Sequence, residues 1–193
     1  MRRVEEQAVR MLGLIDDLLD LQRLETGLMS LEQSSVDLVD LATRTAEELR
    51  LTTSHTITVR AEHTGSAGTV VVPADRRRIV QVLTNLLQNA IRYSPTGGEI
   101  KVTVRRAPRP DGDGDQAILA VSDNGIGIAP TDLPHVFSRF YQVAGGRLHR
   151  GVRGLGIGLY IAREIVERHG GAIWVESAEN EGSTFYVTLP IKH

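Results

Sequence analysis

The run Asn85-Leu86-Leu87-Gln88-Asn89-Ala90-Ile91-Arg92-Tyr93-Ser94-Pro95 constrains this chain more than any other stretch. At about 100° per residue, Asn85, Asn89 and Arg92 fall within roughly 60° of one another on a helix. Ile79, Leu83, Leu86 and Ala90 step 4, 3, 4 along the opposite side. One face therefore belongs to a core and the other holds chemistry. A neutral Asn offers a carbonyl oxygen to a hard cation and an amide to an anion without charge of its own, which suits a magnesium-bound polyphosphate. The plainer alternative, a helix that merely exposes two amides, stays open on this segment alone.

The totals bound the rest. The 193 residues lie between one domain and two, enough to bury a real core, and with 4% aromatics that core must be aliphatic. A net charge of −2 and a pI near 6.3, with the basic residues scattered, give no general pull towards nucleic acid, so no nucleic-acid partner is expected. The absence of cysteine removes disulfides, thiol nucleophiles and cysteine-based metal sites. No apolar run reaches the 18 or so residues that span a bilayer, and the first residues are not a signal peptide. The expected location is cytoplasmic, with the parent protein open to an inner-membrane anchor.

Along the chain, Val4, Ala8, Met11, Ile15 and Leu18 step as a helix, and Leu12, Leu14, Leu19 and Leu21 widen its stripe beyond what a two-stranded seam needs. Such a helix sits in a bundle whose other members are absent here. Thr26-Gly27 stops it, and a joint follows through Ser30–Ser35. A second helix is expected over 37–51 with Leu38, Leu41, Ala42 and Leu49 inward, then a strand at Thr56–Arg60, a turn at Gly65–Gly68 and a short strand Val70–Val72 ended by Pro73. Asp75 is placed to cap the amide-bearing helix. After a turn at Pro95–Gly98, Ile100, Val102 and Val104 alternate as a half-exposed strand, and Pro108–Asp115 is a hairpin loop.

The apolar strand Ala117–Val121 runs into Ser122-Asp123-Asn124-Gly125-Ile126-Gly127-Ile128. A carboxylate at a strand end, followed by two glycines, lets backbone approach a planar ligand while Asp123 accepts a hydrogen bond; an ordinary Asp-Gly turn is the alternative. Thr131–Tyr141 reads as a short helix with Leu133, Phe137 and Phe140 inward. From Gln142 to Gly154 the periodicity is lost and glycines and arginines gather, the profile of a mobile cover. Gly154-Leu155-Gly156-Ile157-Gly158-Leu159 opens a helix through Ala162, Ile165 and Val166, and its free N–H groups form a phosphate seat. Ile173–Val175 and Phe185–Leu189 are the closing strands, joined by Glu181–Thr184.

An N-x-x-x-N helix, a D-x-G-x-G turn, a Phe-rich segment, a glycine- and arginine-rich cover and a G-x-G-x-G helix start, in this order, resemble the ATP-binding catalytic domain of bacterial sensor histidine kinases. The N box matches at Asn85 and Asn89, the first glycine box at Asp123–Gly127, the F box at Phe137–Phe140 and the second glycine box at Gly154–Gly158. The resemblance implies a two-layer α/β sandwich of the Bergerat type over residues 36–191, a mixed sheet under three helices. It implies ATP and Mg2+ as ligands. Asn89 takes the part of the magnesium ligand, Asn85 and Arg92 contact phosphate, and Tyr93 packs on the adenine. Asp123 accepts from the adenine amino group, and Thr184 reaches the base through water. Gly125, Gly127, Ile128, Arg153, Gly154, Leu155, Gly156, Gly158 and Leu159 line the nucleotide. Arg92 departs from the family's usual Lys, keeping the charge but not the point-like ammonium.

Residues 1–31 resemble the second helix of the family's dimerisation and phosphotransfer hairpin. The first helix, with the phosphoacceptor histidine, is absent. His55, His63, His135, His149, His169 and His193 lack its context and are read as surface, turn or tail residues, His149 being placed to approach a phosphate. The implied partners are a response regulator receiver domain, the hairpin itself and a second copy through the N-terminal helix. Related ATPases and serine kinases place a Glu base four residues before the metal-binding Asn. Here that position is Asn85, which favours a histidine kinase over those rivals. Four intact boxes argue against a scaffold that merely binds nucleotide.

Overall fold

The computed structural model describes residues 2–62, 68–95, 97–110, 112, 114–142 and 155–191, with backbone alone for 2–10, 12 and 17. Of the predicted cover Gln142–Gly154, everything from Val143 on, with Arg147, His149, Arg150 and Arg153, lies outside the described residues, as do His63, His193 and most of the turn before Gly68.

The elements in chain order are α1 (Arg2–Glu25), β1 (Ser34–Asp37), α2 (Leu38–Arg50), β2 (Thr56–Glu62), β3 (Val71–Ala74), α3 (Arg76–Tyr93), β4 (Glu99–Pro108), β5 (Asp115–Asp123), α4 (Gly158–Arg168), β6 (Ala172–Ala178) and β7 (Gly182–Ile191). The main sheet has the order β2-β4-β5-β7-β6; β2 and β4 are parallel and the other pairs antiparallel. It is a mixed sheet, with α2, α3 and α4 against one face, as the α/β sandwich requires.

Alternation fixes which face is covered. Ile100, Val102 and Val104 of β4, Leu119 and Val121 of β5, and Val187 and Leu189 of β7 are buried with Leu41 of α2, Leu83 and Leu86 of α3 and Ile161 and Ile165 of α4. The amide-bearing helix buries the expected Ile79, Leu83, Leu86 and Ala90. Its start is set by Asp75, whose Oδ1 accepts from the Arg78 N–H at 3.2 Å. Asp37 does the same for α2 through Val39 N at 3.0 Å. Gly27, at φ +69, closes α1, where Thr26 Oγ1 donates to the Gln22 carbonyl. On the open face Trp174 stacks on Tyr186 with ring centroids 5.0 Å apart.

Several details depart from the sequence reading. The joint Ser30–Ser35 contains the start of β1, which pairs with β3 in a separate two-stranded sheet. Pro73 does not end β3 but sits within it opposite Ser35, which its missing N–H permits because this sheet has only two strands. The connection between β6 and β7 is shorter than predicted, since Ser183 and Thr184 already belong to β7. Thr131–Tyr141 is not a helix, since only Leu133–His135 forms a 3-10 turn with Pro134 early in it, but Phe137 does pack against the core, edge-on to Phe185. Phe140 is 58% exposed at φ +58, and Val136 takes the buried place. Nor is His169 a surface residue. It is buried, accepting at Nε2 from Asp75 N at 3.0 Å and donating from Nδ1 to the Ile165 carbonyl at 2.7 Å.

Candidate functional site

The site is assembled where the C-terminal half of α3, the loop after β5 and the start of α4 meet. Asp123, the last residue of β5, is buried. Its Oδ1 accepts from Gly125 N at 2.8 Å, and Ser183 N donates to the same carboxylate. Burial pushes this carboxyl above the usual aspartate range, and the two N–H groups offset only part of that. A carboxylate so enclosed is fitted to accept one more hydrogen bond from a planar polar group entering beside it.

Two close approaches explain the glycines. A Cβ on Gly125 would stand 2.3 Å from the Tyr93 carbonyl, and one on Gly127 would stand 1.9 Å from the Ala178 carbonyl. Gly127 also has φ +67, a left-handed conformation that other residues adopt at a cost. Ile126 N donates to the Tyr93 carbonyl at 3.0 Å and Asn180 N to the Ile126 carbonyl at 2.8 Å, so the loop is stitched to the end of α3 and to the β6–β7 turn. Ile128 N donates to Ser177 Oγ at 2.9 Å, and that hydroxyl donates to the Gly182 carbonyl at 2.7 Å.

At the other end, Gly156 has φ +71, and a Cβ there would meet the Tyr141 carbonyl at 2.6 Å, which packs the glycine-rich turn against the F-box segment. No side chain caps α4. The N–H groups of Gly158, Leu159 and Tyr160 have no acceptor among the described residues, which leaves the positive end of the helix dipole uncompensated by them. Asn85 Nδ2 donates to the Gly158 carbonyl at 3.0 Å. That bond ties α3 to α4 at the seat and leaves Asn85 Oδ1 unused. Asn89 and Arg92 follow on the same face of α3, half-buried and without a polar side-chain partner among the described residues. A carboxamide and a guanidinium left unpaired on one helix face have hydrogen-bonding capacity to spare for a polar ligand.

Of the predicted site residues, Asn85 meets Gly158 at the start of α4, next to Gly156 and Leu159, with Asn89 and Arg92 four and seven residues further along the same face of α3; Asp123, Gly125, Gly127 and Ile128 gather at the end of β5 and in the loop after it. Tyr93 lies between the two groups at the C-terminus of α3 and is 39% exposed. Leu155 is half-buried against the core, and Arg153 and Gly154 lie outside the described residues. Thr184 does not join them. Its register partner is Ser122, and the two hydroxyls lie 2.9 Å apart on the open face of the sheet. The hydroxyl on the side of Asp123 is Ser183, opposite Asp123 in register and 3.0 Å from Ser177 Oγ. Period-2 counting back from the buried Phe185 puts Ser183 on the same face of the strand from sequence alone.

The family model described as histidine kinase-, DNA gyrase B- and HSP90-like ATPase matches residues 74–193. The alginate biosynthesis sensor protein KinB of Pseudomonas aeruginosa is 37% identical over 188 residues, 97% of this chain and 30% of that protein. Sensor histidine kinase WalK of Bacillus subtilis is 33% identical over 191 residues, again 97% of this chain and 30% of that protein. The chain thus spans under a third of the length of these relatives. The solved structure of the mycobacterial sensor histidine kinase MprB superposes with a TM-score of 0.67 at 27% identity, covering 82% of this chain and 97% of that one.

Proposed function

Because the chain belongs to the family of histidine kinase-, DNA gyrase B- and HSP90-like ATPases, as the ATP-binding catalytic domain of a sensor histidine kinase, we propose that it transfers the γ-phosphoryl group of ATP to a histidine outside its own six, for relay to an aspartate of a receiver domain. Asp123 takes the adenine amino group, and the open N–H groups at the start of α4 take phosphate oxygens. Arg92 faces the same charge. Asn89 supplies one neutral oxygen to Mg2+, which neutralises charge on the phosphates. Among the described residues no cluster of three acidic or imidazole groups stands close enough to hold a metal alone, so phosphate and water complete the shell.

The observation that carries the histidine as acceptor is Asn85. Four residues before Asn89, where a serine kinase or an ATPase needs a proton acceptor, stands an amide already bound to the Gly158 carbonyl. A neutral imidazole nitrogen needs no such base. Its lone pair forms the N–P bond while the bond from phosphorus to the β–γ bridging oxygen breaks, and ADP leaves with that electron pair. The test is incubation with γ-labelled ATP and a supplied phosphotransfer hairpin. Acid-labile label on the hairpin is expected; acid-stable label on a serine would reassign the chain to the serine kinases.

Residues 1–31 are proposed to form the second helix of that hairpin, and α1 to pair with a second copy in the parent protein. Met11, Ile15, Leu18 and Leu19 are exposed along it, and a contiguous apolar stripe marks a contact face. Among the described residues no helix is long and apolar enough to cross a membrane.

A further inference from the structure

The ends of α3 and α4 remote from the cleft meet the joint after α1 at one buried point. His169 closes α4 and its Nε2 accepts from Asp75 N at 3.0 Å. Since Nδ1 faces the Ile165 carbonyl at 2.7 Å and so must donate, the ring is held in a single neutral tautomer. Asp75 divides its carboxylate: Oδ1 caps α3 through Arg78 N at 3.2 Å, and Oδ2 accepts from Glu32 N, in the joint, at 3.0 Å. Arg168, the neighbour of His169, donates to the Leu24 and Met29 carbonyls, each at 3.3 Å. Asp75, His169, Leu24 and Met29 are all buried.

We propose that His169 is a positioning residue: through Asp75 it fixes the joint between α1 and the two helices whose other ends carry Asn85, Asn89 and the glycine-rich turn. The proposal rests on the kinase reading only for its catalytic consequence. α4 is a straight rod of 11 residues whose first turn seats phosphate and whose last turn holds the joint. α3 runs from Asp75 at the joint to Asn89 and Arg92 at the cleft. Together with Asp20, which accepts from Arg78 and Gln81, and Glu25, which pairs with Arg139, this pin sets the angle of α1 to the phosphate seat, and in-line transfer to a histidine carried by a hairpin built on α1 depends on that angle. Loosening the pin leaves the cleft intact and blurs its direction.

The chain has no cysteine, so Asp16→Cys and Glu179→Cys, both at exposed positions, take one spin label each. Their separation is measured in the full chain, diluted with excess unlabelled protein so that only distances within one copy are read, with the native pin and with His169→Leu, His169→Gln or Asp75→Asn added. Asp75→Asn keeps a cap oxygen for Arg78 N and turns its amide against Glu32 N, so it separates joint from cap. Losing a buried hydrogen bond shifts the pinned-to-unpinned ratio by about 5- to 150-fold. Expected are one narrow distance with the native pin or with His169→Gln and a broad one with His169→Leu and Asp75→Asn. The affinity of a fluorescent ATP analogue should stay within about two-fold in all, while transfer to a supplied hairpin slows in the two broad variants. A narrow distance in every variant overturns the pin. A broad distance with undiminished transfer overturns its positioning role. Absence of transfer with the native pin overturns the kinase reading instead, and the distances still decide the pin.

Discussion

Two buried aspartates do opposite things. Burial pushes Asp75 up, but the N–H groups of Glu32, Arg78 and Arg77 outweigh it and hold the carboxyl below its ordinary value of 3.8. A carboxyl depressed in the folded state contributes stability that is full above 3.8 and is lost as pH falls through the folded value. Acid unfolding of Asp75→Asn should therefore lack part of the wild-type slope at the lowest pH, as circular dichroism against pH would show. Asp123 is raised, burial being the leading cause. Its proton is held more tightly folded than unfolded, so its ionisation costs stability as pH rises through the folded value. The adenine amino group needs the ionised form. ATP affinity should therefore fall on acidification at a pH above the ordinary aspartate range, and Asp123→Asn should remove that limb. At neutral pH the same change mispairs a buried group, worth about 1–3 kcal/mol or roughly 5- to 150-fold in affinity. GTP, with a carbonyl at that place, should bind the wild type poorly; competition equal to ATP would show that Asp123 does not read the base. Gly127→Ala should displace the loop outright, since the new Cβ would lie 1.9 Å from the Ala178 carbonyl; a thermal midpoint unchanged from wild type would contradict this.

Legibility from sequence varied by element, for physical reasons. α3 was readable because its apolar residues repeat at helical period over 18 residues and Asp75 marks its start. β4, β5 and the hairpin between them were readable because alternation and a Pro-Gly-Asp loop are both local signals. The Leu and Phe spacing of the F-box segment imitates a helix, but Arg139 is held there by partners far away in the chain, which no local pattern announces. It pairs with Glu25, donates from Nη2 to Tyr160 Oη at 2.9 Å and lies 4.7 Å over the Tyr160 ring. β1 escaped because its four residues gain their pairing only from β3, some forty positions on. His169 reads as a surface or turn residue because its Asp75 partner is equally remote, and the strand parity that sets Ser183 on the side of Asp123 and Thr184 on the open face shows only once β7 is paired with β5. At this scale the tether between α3 and α4 is testable. Asn85→Ala deletes its bond to the Gly158 carbonyl, with an expected loss of about 1 kcal/mol of stability and a larger loss of ATP affinity. A loss of stability with no change in affinity would separate Asn85 from the site.

For the molecule as a whole, one aliphatic core serves the sheet, α2, α3, α4 and the end of α1, since Leu21, Leu24 and Met29 join the same buried cluster as Leu83 and Ile161. Asp20 adds a polar anchor, accepting from Arg78 Nη1 at 2.9 Å and Gln81 Nε2 at 2.7 Å. In α1, Met11, Ile15, Leu18 and Leu19 turn their side chains to water, with Met11 63% exposed and Ile15 49%. The chain should therefore self-associate at micromolar concentration, and Ile15→Glu should dissociate it, as sedimentation equilibrium would reveal; a wild-type monomer would contradict an α1 contact face. The central claim is that α3 and α4 together hold magnesium-bound ATP, and calorimetry tests it most directly by titrating ATP into wild type and Asn89→Ala, each with magnesium and with EDTA. Magnesium should tighten ATP binding to wild type, and this gain should disappear in Asn89→Ala. Equal ATP affinity with and without magnesium in the wild type would contradict it.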